Sequence, residues 1–470
     1  MVKVLFINPP TMGNEYIGTD NYFPLGLLYC ATVAKANGMD VKIVDINNYY
    51  YPNIYDVTDV LLQKYIEDRL YTSIEQYAPD VMGIGAIFSG AFRGLRIITE
   101  KTKEKFPDIP IVIGGIVATM FPEEILKNYL FIDCVVIGEG ESTFVQLVNC
   151  LFNIGYAYDH IDGIAFRQDG NIVVSPKTKF EQDLDSMPTV DYGILNLEEY
   201  KMDTSEWYSP KKIRVGQAFP IISSRSCSQQ CNFCNMKLVH GPKIRFRSPT
   251  NVLDEMEYLY NEHGVRYFQF MDDNLTFDKK RILAICNGIL ERNMDIQFDT
   301  PNGVSIKKLD QEIIAVLVAA GMVRISLAIE SGSGYIRNKV IGKGLTNKKI
   351  YEVVNECAKY SHLWTKGFFI IGMPQETKRT LEETYKMITE LPLDDFGIFF
   401  ATPYKGTKLF DYCVQHKLIS SKIETYMTMD DLQLGAVKPH FKPYKLAKND
   451  LVSFQKKCYT YLERKRNERK

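Results

Sequence analysis

The chain has 470 residues, of which 46% are apolar and 24% are charged, and its formal net charge is −1. This length exceeds what one hydrophobic core usually serves, and the composition excludes disordered and fibrous proteins, so two or three globular domains are predicted. The near-zero charge predicts no nucleic-acid partner, and no apolar run reaches the ~20 residues that a membrane span requires. Because Pro9 and Pro10 interrupt the first apolar run, no secretory signal is predicted and a cytoplasmic location is expected.

Residues 1–153 form the first predicted domain. Short apolar runs alternate there with helix-like stretches, the runs being VLFIN, VKIVDI, VMGIGA, IPIVIGG and DCVVIGEG. This alternation is typical of parallel strands joined by helices, so an α/β fold with a doubly wound, Rossmann-like parallel sheet is predicted. Such sheets bind ligands at the carboxyl ends of their strands. An additional helical segment is expected within residues 53–77.

The rest of the chain divides into three predicted parts. Residues 154–210 are expected to be a linker containing a hairpin that turns at Asp169 and Gly170. Residues 211–418 repeat a strand–helix pattern six times, which predicts a partial (β/α)6 barrel whose chemistry collects at the C-terminal strand ends. Residues 419–470 are expected to form a small, mostly helical region.

One loop, SRSCSQQCNFCN, carries three closely spaced cysteines directly after the first predicted barrel strand. Cys227, Cys231 and Cys234 are soft ligands, which select zinc or an iron-sulfur cluster. Zinc normally takes four ligands, and His240 is the only nearby candidate for the fourth. A 4Fe-4S cluster on three cysteines leaves one iron open to a small molecule. The cluster is favoured, while a zinc-stabilised binding module without turnover stays open.

The spacing C-x3-C-x2-C, with Phe233 before its last cysteine, resembles the signature of the radical S-adenosylmethionine enzymes. Three later segments are similar to the strand ends with which that superfamily binds S-adenosylmethionine, namely FQFMDDNLTF, SLAIESGS and GFFIIGMPQET. Simpler roles are helix capping for the aspartates, a surface ion pair for Glu330 and a tight turn at residues 372–376. The resemblance implies that S-adenosylmethionine is bound by Phe233, Asp272, Asp273, Ser326, Glu330, Gly372 and Glu376.

The first domain carries a second resemblance, to the cobalamin-binding domain of one radical S-adenosylmethionine subfamily. Its segments are NPP, FPLGLLYCA, GGIVAT and VVIGEGEST. An empty docking domain and a nucleotide site stay open as alternatives, although no G-x-G-x-x-G follows the first strand. The first 150 residues contain no histidine, so this segment supplies no imidazole to cobalt. The resemblance implies that cobalamin is bound by Pro10, Ser89, Gly114, Gly115, Thr119, Gly138, Glu139, Gly140 and Glu141.

Together the resemblances imply a cobalamin-dependent radical S-adenosylmethionine methyltransferase. It would methylate an unactivated carbon or phosphorus centre of a small molecule, through a 5'-deoxyadenosyl radical and methylcobalamin. Cyclisation or rearrangement with the same cofactors is the alternative. A low-potential electron donor such as flavodoxin or ferredoxin is the implied partner. Substrate specificity is expected at Asp20, Asn21 and residues 404–407.

Overall fold

The computed structural model describes residues 1–10, 23–46, 59–85, 90–152, 157–200, 218–419 and 438–468. These residues form two compact units. The first contains the described residues up to 200 together with the short segment Met236–Pro242, and the second contains the remainder. Within the described ranges, no helix is both long and apolar enough to cross a membrane.

The first unit is built on a parallel sheet of five strands in the order β2-β1-β3-β4-β5. The strand order reverses between β1 and β3, which is where doubly wound sheets open a ligand crevice. The predicted doubly wound sheet is therefore confirmed. Its strands are β1 Lys3–Asn8, β2 Asp40–Asp45, β3 Val81–Gly85, β4 Ile111–Gly114 and β5 Cys134–Val136.

A hairpin extends this sheet to seven strands. Its strands are β6 Ile164–Gln168 and β7 Asn171–Ser175, and β6 pairs antiparallel with β5. Asp169 and Gly170 both have positive φ, 52° and 76°, as a two-residue hairpin turn requires. The hairpin within the predicted linker is thus continuous with the first sheet.

Seven helices belong to the first unit within the described residues. The second of them covers the predicted additional helical segment from Asp59 onward, and residues 53–58 lie outside the described ranges. The helices are α1 Leu25–Ala36, α2 Asp59–Tyr77, α3 Gly90–Lys105, α4 Ile116–Met120, α5 Pro122–Asn128, α6 Glu141–Leu151 and α7 Met236–His240.

The second unit contains a six-stranded sheet whose strands follow one another in chain order. All five pairings are parallel, so the C-terminal strand ends share one edge, as in the predicted partial barrel. Between the first and second of these strands, the chain forms a two-stranded antiparallel ribbon, β9 Ser224–Arg225 with β10 Arg245–Phe246. The six strands are β8 Ala218–Ile221, β11 Tyr267–Phe270, β12 Gln297–Val304, β13 Met322–Glu330, β14 Trp364–Ile371 and β15 Asp395–Phe400.

Six helices of this unit have an N-cap residue whose side chain accepts a hydrogen bond. The capping residues accept a hydrogen bond from a backbone N–H in the first turn, which satisfies one of the donors left unpaired at a helix start. They are Ser248, Asp278, Asp310, Thr346, Thr377 and Thr407. The helices are α8 Pro249–Glu262, α9 Lys279–Glu291, α10 Gln311–Ala319, α11 Asn347–Cys357, α12 Lys378–Glu390, α13 Lys408–Gln415 and α14 Lys448–Asn467.

The C-terminal helix α14 covers the outer edge of β15. The backbone N–H of Ile398 donates to the Tyr459 hydroxyl at 3.2 Å, and Gln455 Nε2 donates to the Ile398 carbonyl at 2.9 Å. An uncovered edge strand would present these groups to other chains. The helical C-terminal region thus protects the open side of the sheet.

Candidate active site

The cysteine loop begins just after β9 and is fixed by later parts of the second unit. Gln229 Nε2 donates to Ser305 Oγ at 3.2 Å, beyond the end of β12. The Asn232 backbone N–H donates to the Ile341 carbonyl at 3.0 Å, and the Asn232 carbonyl accepts from the Leu409 N–H at 2.9 Å. These contacts place the three cysteines at the C-terminal ends of the strands, where barrel chemistry is expected.

The three thiols share one neighbourhood. Burial raises the pKa of Cys231 to about 12, and the nearby Lys343 cation partly opposes this shift. Cys227 and Cys234 are close enough to act electrostatically on the same thiol. The ten cysteines of the chain are all described and form no disulfide.

Within the described ranges, the cysteine loop is not joined by a fourth ligand that would close a zinc site. Among the described residues, no three His, Cys, Asp or Glu side chains are grouped closely enough to hold one metal ion. A structural zinc site needs four converging ligands, whereas each cysteine of an iron-sulfur site binds its own iron. By ligand number, Cys227, Cys231 and Cys234 match a cluster with one open iron and are one short of a structural zinc site.

Glu330 and Lys343 form a buried ion pair beside the cysteines. Lys343 Nζ lies 2.6 Å from Glu330 Oε1, and the two side chains are 8% and 7% exposed. Glu330 has φ of 69°, which re-aims the end of β13 away from regular strand geometry. The simpler alternative for Glu330, a surface ion pair, is wrong in that the pair is buried. Burying both charges is costly unless they remain paired.

Sequence reasoning missed Lys343, which is placed by the two glycines that flank it. Gly342 and Gly344 have φ of 85° and 64°, so both occupy the left-handed region that favours glycine. Arg337 is 1% exposed and holds the same segment, because its Nε donates to the Leu345 carbonyl at 2.7 Å. The G-K-G pattern was the available signal, but the sequence does not say what the lysine faces.

Asp272 fixes the entrance to the cysteine loop. Its carboxylate accepts from the Ser223 N–H at 3.0 Å, from Ser223 Oγ at 2.7 Å and from Ser224 Oγ. The side chain is 2% exposed. Both oxygens therefore bind the chain between β8 and β9, and Asp272 does not cap a helix as the simpler alternative expected. Asp273 follows it at the end of β11 and is half-buried.

The Gly372–Glu376 segment is a tight turn after β14. Glu376 Oε2 accepts from the Gly372 N–H at 2.6 Å and from the Met373 N–H at 3.3 Å. Gly372 has φ of 88°, which favours glycine. Burial raises the pKa of Glu376 to about 7, although these hydrogen bonds favour its charged form. The carboxyl group thus stabilises the turn.

The structure describes only some of the residues predicted to determine substrate specificity, namely residues 404–407. Thr407 caps α13, and its hydroxyl donates to the Tyr404 carbonyl at 2.6 Å. Asp20 and Asn21 lie outside the described residues.

In the first unit, the candidate cobalamin residues gather at the C-terminal ends of β4 and β5. Gly114 ends β4, and Gly115 precedes α4 with φ of 103°. Thr119 Oγ1 donates to the Gly115 carbonyl at 2.8 Å and accepts from the Gly138 N–H at 2.9 Å. This hydrogen-bonded link joins the two loops across 19 residues.

The remaining candidates border the same edge. Glu139 is buried, Gly140 precedes α6 and Glu141 is its first residue. A Cβ added at Gly94 would lie 2.9 Å from the Pro10 ring, so Pro10 packs on α3. Ser89 lies outside the described residues.

Two more residues of the first unit lie at this edge. The sequence suggested His240 only as a fourth zinc ligand, and it gave no role to Lys177. His240 Nδ1 lies 2.9 Å from Glu139 Oε1, although 101 residues separate them. The first unit thus contains an imidazole beside a candidate cobalamin loop, which the absence of histidine from residues 1–150 did not foresee. Lys177 Nζ donates to Thr143 Oγ1 at 2.6 Å, and its stem would clash with a Cβ at Gly138, 2.9 Å away.

Two glycines at these strand ends present backbone without a side chain. A Cβ at Gly114 would meet nothing closer than Val136 at 3.7 Å, and one at Gly140 would lie 3.4 Å from Cys30. Because no side chain projects from either glycine, a ligand can approach the backbone closely. The first unit therefore fits cobalamin, as the second fits the cluster.

Comparison with known proteins agrees with both fits. The B12 binding domain family matches residues 19–148, and the radical SAM superfamily matches residues 221–388. The two matches together cover most of the chain in the order predicted from its sequence.

Several curated proteins are similar along nearly the whole chain. An uncharacterized methyltransferase of Pyrococcus horikoshii is 28% identical, over 98% of this chain and 92% of its own length. The cytidylyl-2-hydroxyethylphosphonate methyltransferase of Streptomyces wedmorensis is 28% identical, over 90% of this chain and 84% of its own length. An anaerobic magnesium-protoporphyrin IX monomethyl ester cyclase of Rubrivivax gelatinosus is 28% identical, over 96% and 75%.

A solved structure shares the fold. It is the radical S-adenosylmethionine methyltransferase TsrM from Kitasatospora setae, with cobalamin and a 4Fe-4S cluster bound. The TM-score is 0.69 at 17% identity, covering 88% of this chain and 75% of that one. The chain belongs to the cobalamin-binding radical S-adenosylmethionine enzymes, because both family models match it in this order and its cysteine loop and glycine-lined strand ends agree with them.

Proposed function

We propose that this protein methylates an unactivated carbon or phosphorus centre of a small molecule, using S-adenosylmethionine, a 4Fe-4S cluster and cobalamin. The observation that carries the proposal is the pairing, in one chain, of a three-cysteine strand-end loop with a glycine-lined cobalamin site. The methyltransferase names of the Pyrococcus and Streptomyces relatives favour methyl transfer as the outcome.

When bound, the cluster supplies an electron for cleavage of S-adenosylmethionine, and cobalamin supplies a transferable methyl group. The protein's own residues bind, orient and exclude water. Phe233 packs on the apolar cluster that includes Met373 and Leu409, which shields one side of the cysteine loop. Glu330 is proposed to bind the ribose, with Lys343 setting its orientation through their 2.6 Å contact.

The other candidate S-adenosylmethionine residues are proposed to act at the same strand ends. Asp273 would approach the amino group, while Asp272 keeps the cysteine loop in place through its serine contacts. Ser326 would line the site from β13. The Gly372–Glu376 turn would present backbone to the adenine, because the Glu376 carboxyl group is already used within the turn.

Ring formation or rearrangement with the same cofactors is the second candidate. The Rubrivivax relative, named as a cyclase, is as similar in identity as the two methyltransferases, which favours keeping this outcome under test. Both candidates need a low-potential electron donor, and flavodoxin or ferredoxin is proposed. A cytoplasmic location is proposed as well, because ten thiols and an iron-sulfur cluster suit a reducing compartment.

The test is anaerobic incubation of the cluster-reconstituted, cobalamin-loaded protein with methyl-deuterated S-adenosylmethionine and a low-potential reductant. Mass spectrometry then follows cobalamin and 5'-deoxyadenosine. Label on cobalamin together with 5'-deoxyadenosine is the expected result. Unlabelled cobalamin with 5'-deoxyadenosine would favour cyclisation or rearrangement. The absence of both labelled cobalamin and 5'-deoxyadenosine would contradict the proposal.

A matched pair of cysteine variants sharpens this experiment. Cys231→Ala should lose the cluster absorbance, the iron and 5'-deoxyadenosine together. Cys286→Ala removes a buried thiol on α9, away from the loop, and should keep all three. Equal iron content in the two variants would contradict the assignment of Cys231 as a cluster ligand.

A further inference from the structure

In the part of the chain that the structure describes, one face of the six-stranded sheet is partly exposed near its last two strands. Along β14 the side chains of Lys366, Phe368 and Ile370 are partly exposed, whereas those between them are buried. On β15, Phe399 is 39% exposed while every other residue of the strand is buried. Since successive residues of a strand point to opposite faces, these side chains share one face.

This open face also carries a predicted S-adenosylmethionine residue. Ser326 is the register partner of Lys366, and Ala328 is the partner of Phe368. Phe399 pairs with Ile370 on the other side of β14. Paired residues of neighbouring strands project to the same side. The two phenylalanines therefore lie one strand and two strands away from the residues that would hold the reacting cofactor.

The rings of Phe368 and Phe399 contact each other, and each ring packs against a glycine that has no side chain to displace it. Phe368 and Phe399 have centroids 5.8 Å apart and an interplanar angle of 75°. A Cβ added at Gly397 would lie 2.9 Å from the Phe399 ring, and one at Gly303 would lie 3.2 Å from Phe368. Any larger residue at these positions would displace a ring. An exposed phenylalanine is ordinary on an outer surface, but here it faces the same side as the candidate site.

A positive charge borders the ring pair. Lys366 Nζ lies 5.7 Å from the centroid of Phe368 and is 3.4 Å from Asp395 Oδ2. Arg466 Nη2 contacts the other oxygen of Asp395 at 3.1 Å. Two cations thus share one carboxylate. The Lys366 side chain is 28% exposed, so it can reach an anion.

We propose that Phe368, Phe399 and Lys366 bind the substrate, and that the substrate carries an aromatic or extended apolar ring system with an anionic group. The ring system stacks on the phenylalanines, and the anion pairs with Lys366. This inference rests on the proposed function for the identity of the occupant, because it places the substrate beside the S-adenosylmethionine site.

The test uses the aromatic anion 1-anilinonaphthalene-8-sulfonate with the cluster- and cobalamin-loaded protein, under anaerobic conditions and without reductant. Saturable binding of one equivalent is expected by fluorescence. Phe399→Leu keeps an apolar side chain but removes the ring, and should weaken binding about 3- to 10-fold. Lys366→Gln should weaken it by a similar factor, and raising the salt concentration should weaken binding to the wild type but not to this variant.

Two control variants separate this site from general surface effects. Tyr258→Ala removes an aromatic ring that is 43% exposed on α8, and Lys280→Gln removes an exposed charge on α9. Both should bind the probe within twofold of wild type. Circular dichroism and cluster absorbance report whether each variant is folded, and Phe368→Leu provides a second ring deletion if Phe399→Leu is unstable.

The inference is overturned if the wild type does not bind the probe saturably, or if the folded ring variant binds it as well as wild type does. Neither result touches the proposed function, because probe binding requires no turnover. Conversely, unlabelled cobalamin in the deuterium experiment would remove methyl transfer and leave this binding site intact. The two failures are therefore distinguishable.

Discussion

The buried pair between Glu330 and Lys343 allows the sharpest prediction. Lys343→Met removes the cation and leaves the carboxylate in a site where its side chain is only 7% exposed. Removing one partner of a buried ion pair costs about 3–5 kcal/mol, which is a large share of the 5–15 kcal/mol that stabilises a typical protein. Because the lysine also lies near Cys231, the variant should bind iron less completely as well.

Three further variants separate the interaction between Glu330 and Lys343 from the effect of each single substitution. Glu330→Gln alone should also destabilise the protein, because it strands the lysine. The double variant should recover much of the loss, since replacing both charges removes both desolvation penalties. Lys349→Met is the control, because its 2.9 Å pair with Glu352 is on the surface and should change stability by less than about 1 kcal/mol.

Urea unfolding of the four variants, followed by circular dichroism, measures these free energies, and iron analysis measures cluster content. A loss below about 1 kcal/mol for Lys343→Met would show that the charge is not desolvated. A double variant whose loss equals the sum of the single losses would show that the two residues act independently. Either result would refute the assignment of this pair as a buried, coupled unit.

Three further changes test other parts of the two units. Glu376 has its pKa raised from 4.5 to about 7 by burial, so its contribution to stability is present below pH 4.5 and falls as the pH rises toward 7. The wild type should lose on the order of 3 kcal/mol across that window in urea titrations, and Glu376→Gln should not. Gly372→Ala places a Cβ at φ of 88° and should cost about 1–2 kcal/mol, measured by thermal unfolding. His240→Ala removes the 2.9 Å contact to Glu139 and should weaken hydroxocobalamin binding several-fold in absorbance titrations. His160→Ala, with a side chain that is 77% exposed, should bind cobalamin normally.

Each of these three predictions can be contradicted by one measurement. An unchanged slope of stability against pH in Glu376→Gln would assign the titration to another group. Full thermal stability of Gly372→Ala would show that the turn relaxes without strain. Equal cobalamin affinity in the two histidine variants would show that His240 does not position the Glu139 loop.

The sequence by itself determined the order of elements and the main chemistry. Alternating apolar and helical runs predict both parallel sheets, because strand and helix periods are local properties of the chain. The spacing of Cys227, Cys231 and Cys234 likewise predicts a metal-binding loop without any tertiary information. The strand-end positions of Glu330 and Gly372 followed from the same local pattern.

Only the tertiary structure decided which distant residues meet. It paired Lys343 with Glu330, directed Asp272 to the serines before the cysteine loop, and brought His240 to Glu139 across 101 residues. It also joined the predicted hairpin to the first sheet and left Phe399 exposed on an otherwise buried strand. These outcomes depend on packing and on which strand edges and faces are covered, and such long-range contacts leave no period or spacing in the sequence.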